Sequence, residues 1–599
     1  SVEALMRMAT PEEEQEKPHP VRTLPVTDRI SFYSHGKWRR APLILRQALR
    51  AGDRIEGPAI LIEDNATTVI EPGWQGTVTS RQHLLLSRFA QAPDSEQSAT
   101  AADPVMLEVF NNLFMNIADQ MGLQLQNTAL SVNIKERLDF SCALFDADGQ
   151  LIANAPHVPV HLGSMGESIK SVIETNRGRI APGDVFLLND PYHGGTHLPD
   201  MTVITPVFLM SHEQPVFYVG SRGHHADIGG MTPGSIPPFS THIEEEGICI
   251  RNFKLVARGE IREQALINLL QQGPYPARNI EQNLADLRAQ IAANEKGVQE
   301  LRKMTAFYGF DVVRAYMQHV QDNAEQAVRN VIHRLKDGEF LVKLDNGSRI
   351  QVAIRVDKAM REAEIDFSGT SVQQDNNFNA PRAVAIAAVL YVFRTLVEDD
   401  IPLNAGCLKP LRLMIPEGSM LNPVYPASVV AGNVETSTCI TNALYGALGV
   451  MASAQPTMNN LTFGNERHQY YETLAGGSGA GGIFNESGKL VDGFNGSDVV
   501  QSLMTNSLLT DPEVLESRYP VRLIQHAIRA GSGGKGRWQG GKGAIRCIQF
   551  LEPMTISVLS NGRLYPAFGL LGGEAGQPGH NRVIRDDGTS EEMASCAQI

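Results

Sequence analysis

Between Asn189 and Gly230 the chain carries two runs, N-D-P-Y-H-G-G-T-H-L-P-D and S-R-G-H-H-A-D-I-G-G. They bring His193, His197, His224 and His225 together with Asp190, Asp200 and Asp227. Each run is set in glycine- and proline-rich turns, and an apolar stretch of strand-like character, Met201 to Gly220, joins them. Imidazole and carboxylate are the ligands of catalytic divalent metals, whose sites keep a position open for water or substrate. Taken singly, each of these histidines reads better as satisfying a turn hydrogen bond or lying on the surface. Two such clusters, both framed by glycine and proline, point to a metal site.

The surrounding blocks narrow the reading. L-Q-N-T-A-L-S-V-N-I-K-E-R-L-D-F-S-C-A-L-F-D (Leu125 to Asp146), N-A-P-H-V-P-V-H-L-G-S-M (Asn154 to Met165), D-F-S-G-T (Asp366 to Thr370), I-P-L-N-A-G-C (Ile401 to Cys407) and G-S-G-G-K-G-R-W-Q-G-G-K-G (Gly531 to Gly543) follow in order. Together with the two histidine runs they resemble the hydantoinase B/oxoprolinase family, from Asp103 to about Asn581. Within that family the likeness is nearest to the ATP-dependent 5-oxoprolinases. The resemblance implies four metal ligands: Asp139, His197, Asp200 and His224. The residues suit the role. His197 and Asp200 stand three apart around a proline, so one turn can aim both at a point. Asp139 sits among apolar neighbours, where a carboxylate needs a compensating charge. Two imidazoles and two carboxylates without thiolate suit Zn²⁺, Mn²⁺ or Fe²⁺. Supporting candidates around them are His161, His225, Asp227, Asp190 and His193, with Asp227 placed to accept the second N–H of His224. Glu136 is a candidate general base, against an alternative surface pair with Lys135 or Arg137. Arg222 and Arg382 are candidate anchors for a substrate carboxylate, with a structural salt bridge as the rival role.

The function implied is the hydrolytic half of a 5-oxoprolinase, opening the lactam of 5-oxo-L-proline to L-glutamate. A hydantoinase A-like half would use ATP and Mg²⁺ to make a phosphorylated intermediate, leaving this piece inactive alone. An N-methylhydantoinase or related cyclic-amide hydrolase, and an inactive scaffold for the A-type half, are the alternatives; a ketone carboxylase shares the fold. Residues 21–91, with I-E-G-P-A-I-L-I-E-D-N-A-T-T-V-I-E-P-G-W (Ile55 to Trp74), resemble the tail of the A-type half, fused ahead of the B-type body. The chain starts at Ser1, and the family's closing block T-P-G-G-G-G-Y-G does not follow Asn581. This reads as part of a longer polypeptide, C-terminally truncated.

The elements that must position these residues follow from composition and pattern. A length of 599 residues exceeds one hydrophobic core, and 42% hydrophobic with 20% charged residues is ordinary for a globular chain. A net charge of −14 argues against a nucleic-acid partner. No apolar run reaches the length of a membrane span, and six scattered cysteines without a C-x-x-C pair suit a reducing cytoplasm. The expected architecture is α+β, mixed α/β, with a small mostly-β unit at 1–91, a polar linker at 92–103 and a large body at 104–599, assembling as a homo-oligomer. Alternation in Ile55 to Trp74, punctuated by Gly57-Pro58, Asp64-Asn65 and Pro72-Gly73, reads as short strands. Met106, Val109, Phe110, Leu113, Phe114, Ile117 and Met121 recur at helical spacing behind an Asp103-Pro104 cap. Phe140 to Phe145 and Leu151 to Ile152, turned by Asp146-Ala-Asp-Gly149, read as a hairpin, and a long helical stretch runs from about Asn279 to Leu335. The glycine clusters at 475–482 and 531–543 lack the phosphate-loop order and read as tight turns near the active centre.

Overall fold

The computed structural model describes residues 17, 19–20, 22–34, 37–89, 100–210, 212–399, 401–485 and 489–599. The chain divides into two compact units, Ser1–Ala99 and Thr100–Ile599. Most of the linker expected at 92–103 lies outside the described residues.

The first unit is built of strands: β1 (Val26–Ser34), β2 (Lys37–Leu45), β3 (Arg54–Glu56), β4 (Ala59–Ile62), β5 (Thr67–Ile70), β6 (Trp74–Val78) and β7 (Leu84–Arg88). One sheet has the order β1-β2-β4-β5, the other β3-β6-β7. The three turn pairs read from the sequence separate β3 from β4, β4 from β5 and β5 from β6. Inward-facing Ile44, Leu49, Ile55, Ala59, Leu61, Ile70 and Val78 form its core. Alternating burial of the kind a strand with one buried face shows is clearest in β3 and at the end of β6.

The second unit opens with α1 (Pro104–Thr128), whose first turn is capped by the Asp103 carboxylate accepting from Met106 N–H at 2.9 Å. After the short α2 (Val132–Lys135) come β8 (Phe140–Asp146), β9 (Leu151–Asn154), α3 (Pro159–Thr175), β10 (Val185–Leu188), β11 (Asp200–Val207), β12 (Phe217–His224), β13 (Phe253–Ala257) and β14 (Glu260–Ile261). These strands form one antiparallel sheet of order β14-β13-β10-β11-β12-β8-β9. The apolar run at 201–220 is thus two strands of a hairpin. Alternate residues of β8 serve opposite faces. Phe140, Cys142 and Leu144 pack with α1 and with α5 (Ile280–Tyr308), which follows α4 (Glu263–Leu270). Ala143 and Phe145 pack with Leu162, Met165 and Ile169 of α3. A sheet covered on both faces needs strands apolar on both faces, which accounts for the near-continuous hydrophobic β8.

The long helical stretch breaks at Gly309 (φ 87°) into α5 and α6 (Phe310–Arg334). A conformation with positive φ at that point suits glycine and ends the first helix. A four-stranded sheet follows, β15 (Gly338–Lys343), β16 (Arg349–Asp357), β17 (Glu362–Asp366) and β18 (Leu411–Met414). It packs on α7 (Arg382–Thr395) and on α8 (Ser437–Leu448) in the largest apolar cluster. A turn of π-helix, Gly432–Thr436, leads directly into α8. Further on, β19 (Asn460–Gly464) and β20 (Gln469–Thr473) belong to a four-stranded sheet with Thr555–Leu559 and Cys596–Gln598. Among the described residues no helix is long and apolar enough to cross a membrane.

Candidate metal centre

Register places the site. Asp200, the first residue of β11, pairs with His224, the last of β12. Gly223 pairs with Phe140, and His224 N–H donates to the carbonyl of Asp139 at 3.0 Å. The backbones of Asp139, Asp200 and His224 therefore lie side by side at one end of three neighbouring strands. His197 comes from the turn before β11, closed by Asp200 N–H donating to its carbonyl. The glycines of that turn are required by space. A Cβ at Gly194 (φ 91°) would lie 2.4 Å from the Glu167–Ser168 backbone, and one at Gly195 2.3 Å from the Asn189 carbonyl oxygen.

Ligand atoms of His197, Asp200 and His224, all buried, lie within 4.8 Å of one another. One Asp200 oxygen is 3.0 Å from His197 Nε2 and 3.2 Å from His224 Nδ1. The other accepts from Thr196 Oγ1 at 2.6 Å and lies 3.2 Å from His161 Nε2 and 3.4 Å from Asn433 Nδ2. Burial opposes ionisation of Asp200, yet the His161 and His197 imidazoles beside it hold its carboxyl well below the usual range. Burial pushes the His224 imidazole below its ordinary range, with the Asp200 hydrogen bond opposing. An ionised carboxylate beside a neutral imidazole is the state metal ligation requires. Both ring nitrogens of His197, and Nε2 of His224, are buried without a hydrogen-bond partner among the described residues. Buried polar atoms normally have partners. Nitrogens left free around a carboxylate, with two imidazoles in the set, fit a divalent cation.

The remaining sequence candidates fall elsewhere or in other roles. Asp139 stands next to the group, but its carboxylate is not among the mutually close atoms and lies 3.5 Å from Arg137 Nη1. His161 is brought in, beside Asp200. Asp227 does not serve His224. It accepts from Gly229 N, Gly234 N and Arg278, fastening the loop after β12. His225 points the other way, bonded to Gln290 and Asn283 of α5. Adjacent residues of an extended segment face opposite sides, which separates His225 from His224. Asp190 binds its own turn through Tyr192 N–H and His193 Nδ1, and His193 reaches Arg251. Glu136 caps the C-terminus of α2, half-buried, without a side-chain partner among the described residues. Arg222 is no substrate anchor: it is buried in the core, its donors taken by Thr202, Ser164, Ser168 and the Gly194 carbonyl. Arg382 is half exposed and lies 3.8 Å from Glu167.

Several participants were not read from the sequence. The Tyr471 ring of β20 stacks on His224, centroids 4.6 Å apart at 20°, and the Arg137 guanidinium lies 4.8 Å from the same ring. Asn433, from the π-helical turn, reaches Asp200. The signal available was the pair Asn433 and Glu435 in G-N-V-E-T, directly after the apolar V-V-A. The glycine clusters do not border the His/Asp group. They wall a cavity of about 1790 Å³ between Gly449 and Ile599, which none of His197, Asp200 and His224 lines. There they allow two loops to touch: a Cβ at Gly477 would lie 1.9 Å from the Gly541 carbonyl oxygen.

A doubly covered antiparallel sheet with a histidine–aspartate group at one end, in a chain that also carries a small β unit, defines an α+β protein with a candidate metal site. The hydantoinase B/oxoprolinase model matches residues 103–599, and the hydantoinase/oxoprolinase C-terminal domain model matches residues 3–88. The chain belongs to the hydantoinase B/oxoprolinase family. The match runs to Ile599, past the point where the quoted motifs fade. It is 44% identical over 570 residues to 5-oxoprolinase of Dictyostelium discoideum, covering 93% of this chain and 44% of that protein. It is 43% identical over 602 residues to 5-oxoprolinase 1 of Arabidopsis thaliana, covering 95% of this chain and 46% of that protein. The chain thus spans less than half the length of these curated relatives. The crystal structure of ATP-dependent caprolactamase from Pseudomonas jessenii is similar with a TM-score of 0.70 at 25% identity, over 83% of this chain and 88% of that one. A nucleotide-free acetone carboxylase structure shares the fold, with a TM-score of 0.72 at 18% identity over 82% of this chain and 68% of that one.

Proposed function

We propose that this chain carries the hydrolytic half of an ATP-dependent 5-oxoprolinase, converting an activated form of 5-oxo-L-proline to L-glutamate. The observation that carries the reading is the convergence of His197, Asp200 and His224 in a body whose curated relatives include 5-oxoprolinases. These three residues would hold a divalent cation, Zn²⁺, Mn²⁺ or Fe²⁺, with Asp139 beside them as a further carboxylate. When bound, such an ion supplies Lewis acidity toward water and carbonyl oxygen. The protein's own part is to keep Asp200 ionised through His161 and His197, and to keep His224 neutral by burial. Thr196 and Asn433 fix the second Asp200 oxygen, so the carboxylate does not swing when substrate arrives.

Lactam hydrolysis is slow because amide resonance must be broken and the leaving amine is poor. Phosphorylation of the carbonyl oxygen by an A-type half, using ATP and Mg²⁺, removes that obstacle, and the unit at the N-terminus matches the tail of such a half. The A-type half is therefore the proposed partner within one longer protein. Six free cysteines fit a reducing, cytoplasmic setting. The caprolactamase likeness favours one second reading, a different cyclic amide as substrate. Glutamate release from 5-oxoproline by the complete protein, with and without ATP, tests the proposal against caprolactam and hydantoins as competing substrates. ATP-dependent glutamate formation supports it. Turnover of another ring alone replaces the substrate assignment, and turnover without ATP removes the phosphorylated intermediate.

A further inference from the structure

We propose that Glu435, Asn460 and Tyr471 form a positioning relay that sets the plane of the His224 imidazole toward its ion. This rests on the metal reading above. The links are continuous. Glu435 Oε1 accepts from Asn460 Nδ2 at 2.7 Å and from Met458 N–H at 3.0 Å. The Asn460 amide also donates to the Leu559 carbonyl at 2.8 Å, which fixes its orientation and aims Oδ1 at Tyr471. Tyr471 O–H donates to that Oδ1 at 2.9 Å, and its ring lies on His224. All four side chains are buried.

Two features make this more than core packing. Among the described residues His224 has no hydrogen-bonding side-chain partner apart from Asp200, and its Nε2 is unpaired. The ring plane is therefore set by Asp200 and by the ring stack. A ligating histidine needs its plane fixed, and residues that do so are part of the site. The π-helical turn is the second feature. Widening at Gly432–Thr436 sends Asn433 to Asp200 and Glu435 to Asn460, so one irregular turn feeds both sides of the group. Such turns concentrate at functional sites. Burial pushes the Glu435 carboxyl up to about 8, so near neutral pH it behaves as an uncharged acid that an amide can mimic.

The test uses Co²⁺ as probe, read by its visible absorption and by chelator competition, on the chain and on Tyr471→Phe, Glu435→Ala and Glu435→Gln. Tyr471→Phe keeps the stack and removes a single hydroxyl, so its fold is secure; circular dichroism checks all four. Tyr471→Phe and Glu435→Ala are expected to weaken Co²⁺ binding about 10-fold or more and to alter the absorption band. Glu435→Gln retains an acceptor for Asn460 and is expected to bind as the unaltered chain does. Unchanged affinity and spectrum in folded Tyr471→Phe overturn the relay alone. Absence of stoichiometric Co²⁺ in the unaltered chain overturns the relay together with the metal reading.

Discussion

Replacing Arg222 by methionine separates a structural arginine from a substrate anchor. Its Nε donates to Thr202 Oγ1 at 2.7 Å, Nη1 to Ser164 Oγ at 2.6 Å, and Nη2 to Ser168 Oγ at 2.8 Å and Gly194 O at 3.3 Å. Hydrogen bonds from a charged donor contribute about 1.5–3 kcal/mol each. Their sum overstates the loss for two reasons. Burial of the guanidinium, which pushes its pKa down to about 10, opposes the gain. The three hydroxyls also keep backbone carbonyl acceptors, at Asp200, Val160 and Gly194, after the arginine has gone. A net destabilisation of about 2–4 kcal/mol follows. The Gly194 turn, which carries His197, loses its brace to β12, so metal binding should weaken as well. Urea denaturation of the chain, with metal titration in parallel, reads both effects, and in the complete protein KM for substrate should hold. An unchanged denaturation midpoint with KM raised tenfold or more would refute the reasoning and restore the anchor.

Asp200→Asn should fold yet bind metal more than about 100-fold more weakly, since even residues behind the ligands contribute 10–100-fold; chelator competition showing unaltered affinity excludes Asp200 as a ligand. Burial raises Glu435 to about 8 and Glu246 to about 7 from an ordinary 4.5. The folded chain then holds protons that the unfolded chain releases. Their stabilisation is complete below pH 4.5 and declines toward pH 7–8, on the order of 1 kcal/mol per pH unit per group. Glu435→Gln should flatten the upper part of that decline in denaturation curves taken from pH 5 to 8, and an unaltered slope contradicts the assignment. Gly432→Ala should destabilise by about 1–3 kcal/mol or more, because its Cβ would lie 1.9 Å from the Asn379 carbonyl oxygen; a neutral effect on the denaturation midpoint would show that the π-helical turn yields freely.

Local chemistry made much of this fold legible. Asp103-Pro104 marked the start of α1, Asp146 to Gly149 the β8–β9 turn, and three turn pairs the strands of the small unit, since each signal acts within a few residues. The turn bearing His197 and Asp200 was legible for the same reason. Partnerships across the chain were not. Asp227 lies three positions from His224 yet serves Arg278, because the loop folds away from the sheet end. Arg222 alternates inward on β12, where Ser164 and Ser168 of α3 join Thr202 of β11 in supplying the hydroxyls that make its burial tolerable. Tyr471 reaches His224 from a different sheet, a pairing no local spacing encodes. Glycine content at 475–482 and 531–543 reports close backbone approach, and nothing in it says which loops approach.

The most direct measurement is made on the complete protein with His197→Ala, following phosphate and glutamate release together from 5-oxoproline and ATP. Loss of one ligand should strip the site of its ion, while the nucleotide site of the A-type half keeps its substrate. The account predicts continued ATP consumption dependent on 5-oxoproline, with glutamate formation collapsed. Glutamate formation at the unaltered rate would contradict it, removing His197 and the group around it from the reaction.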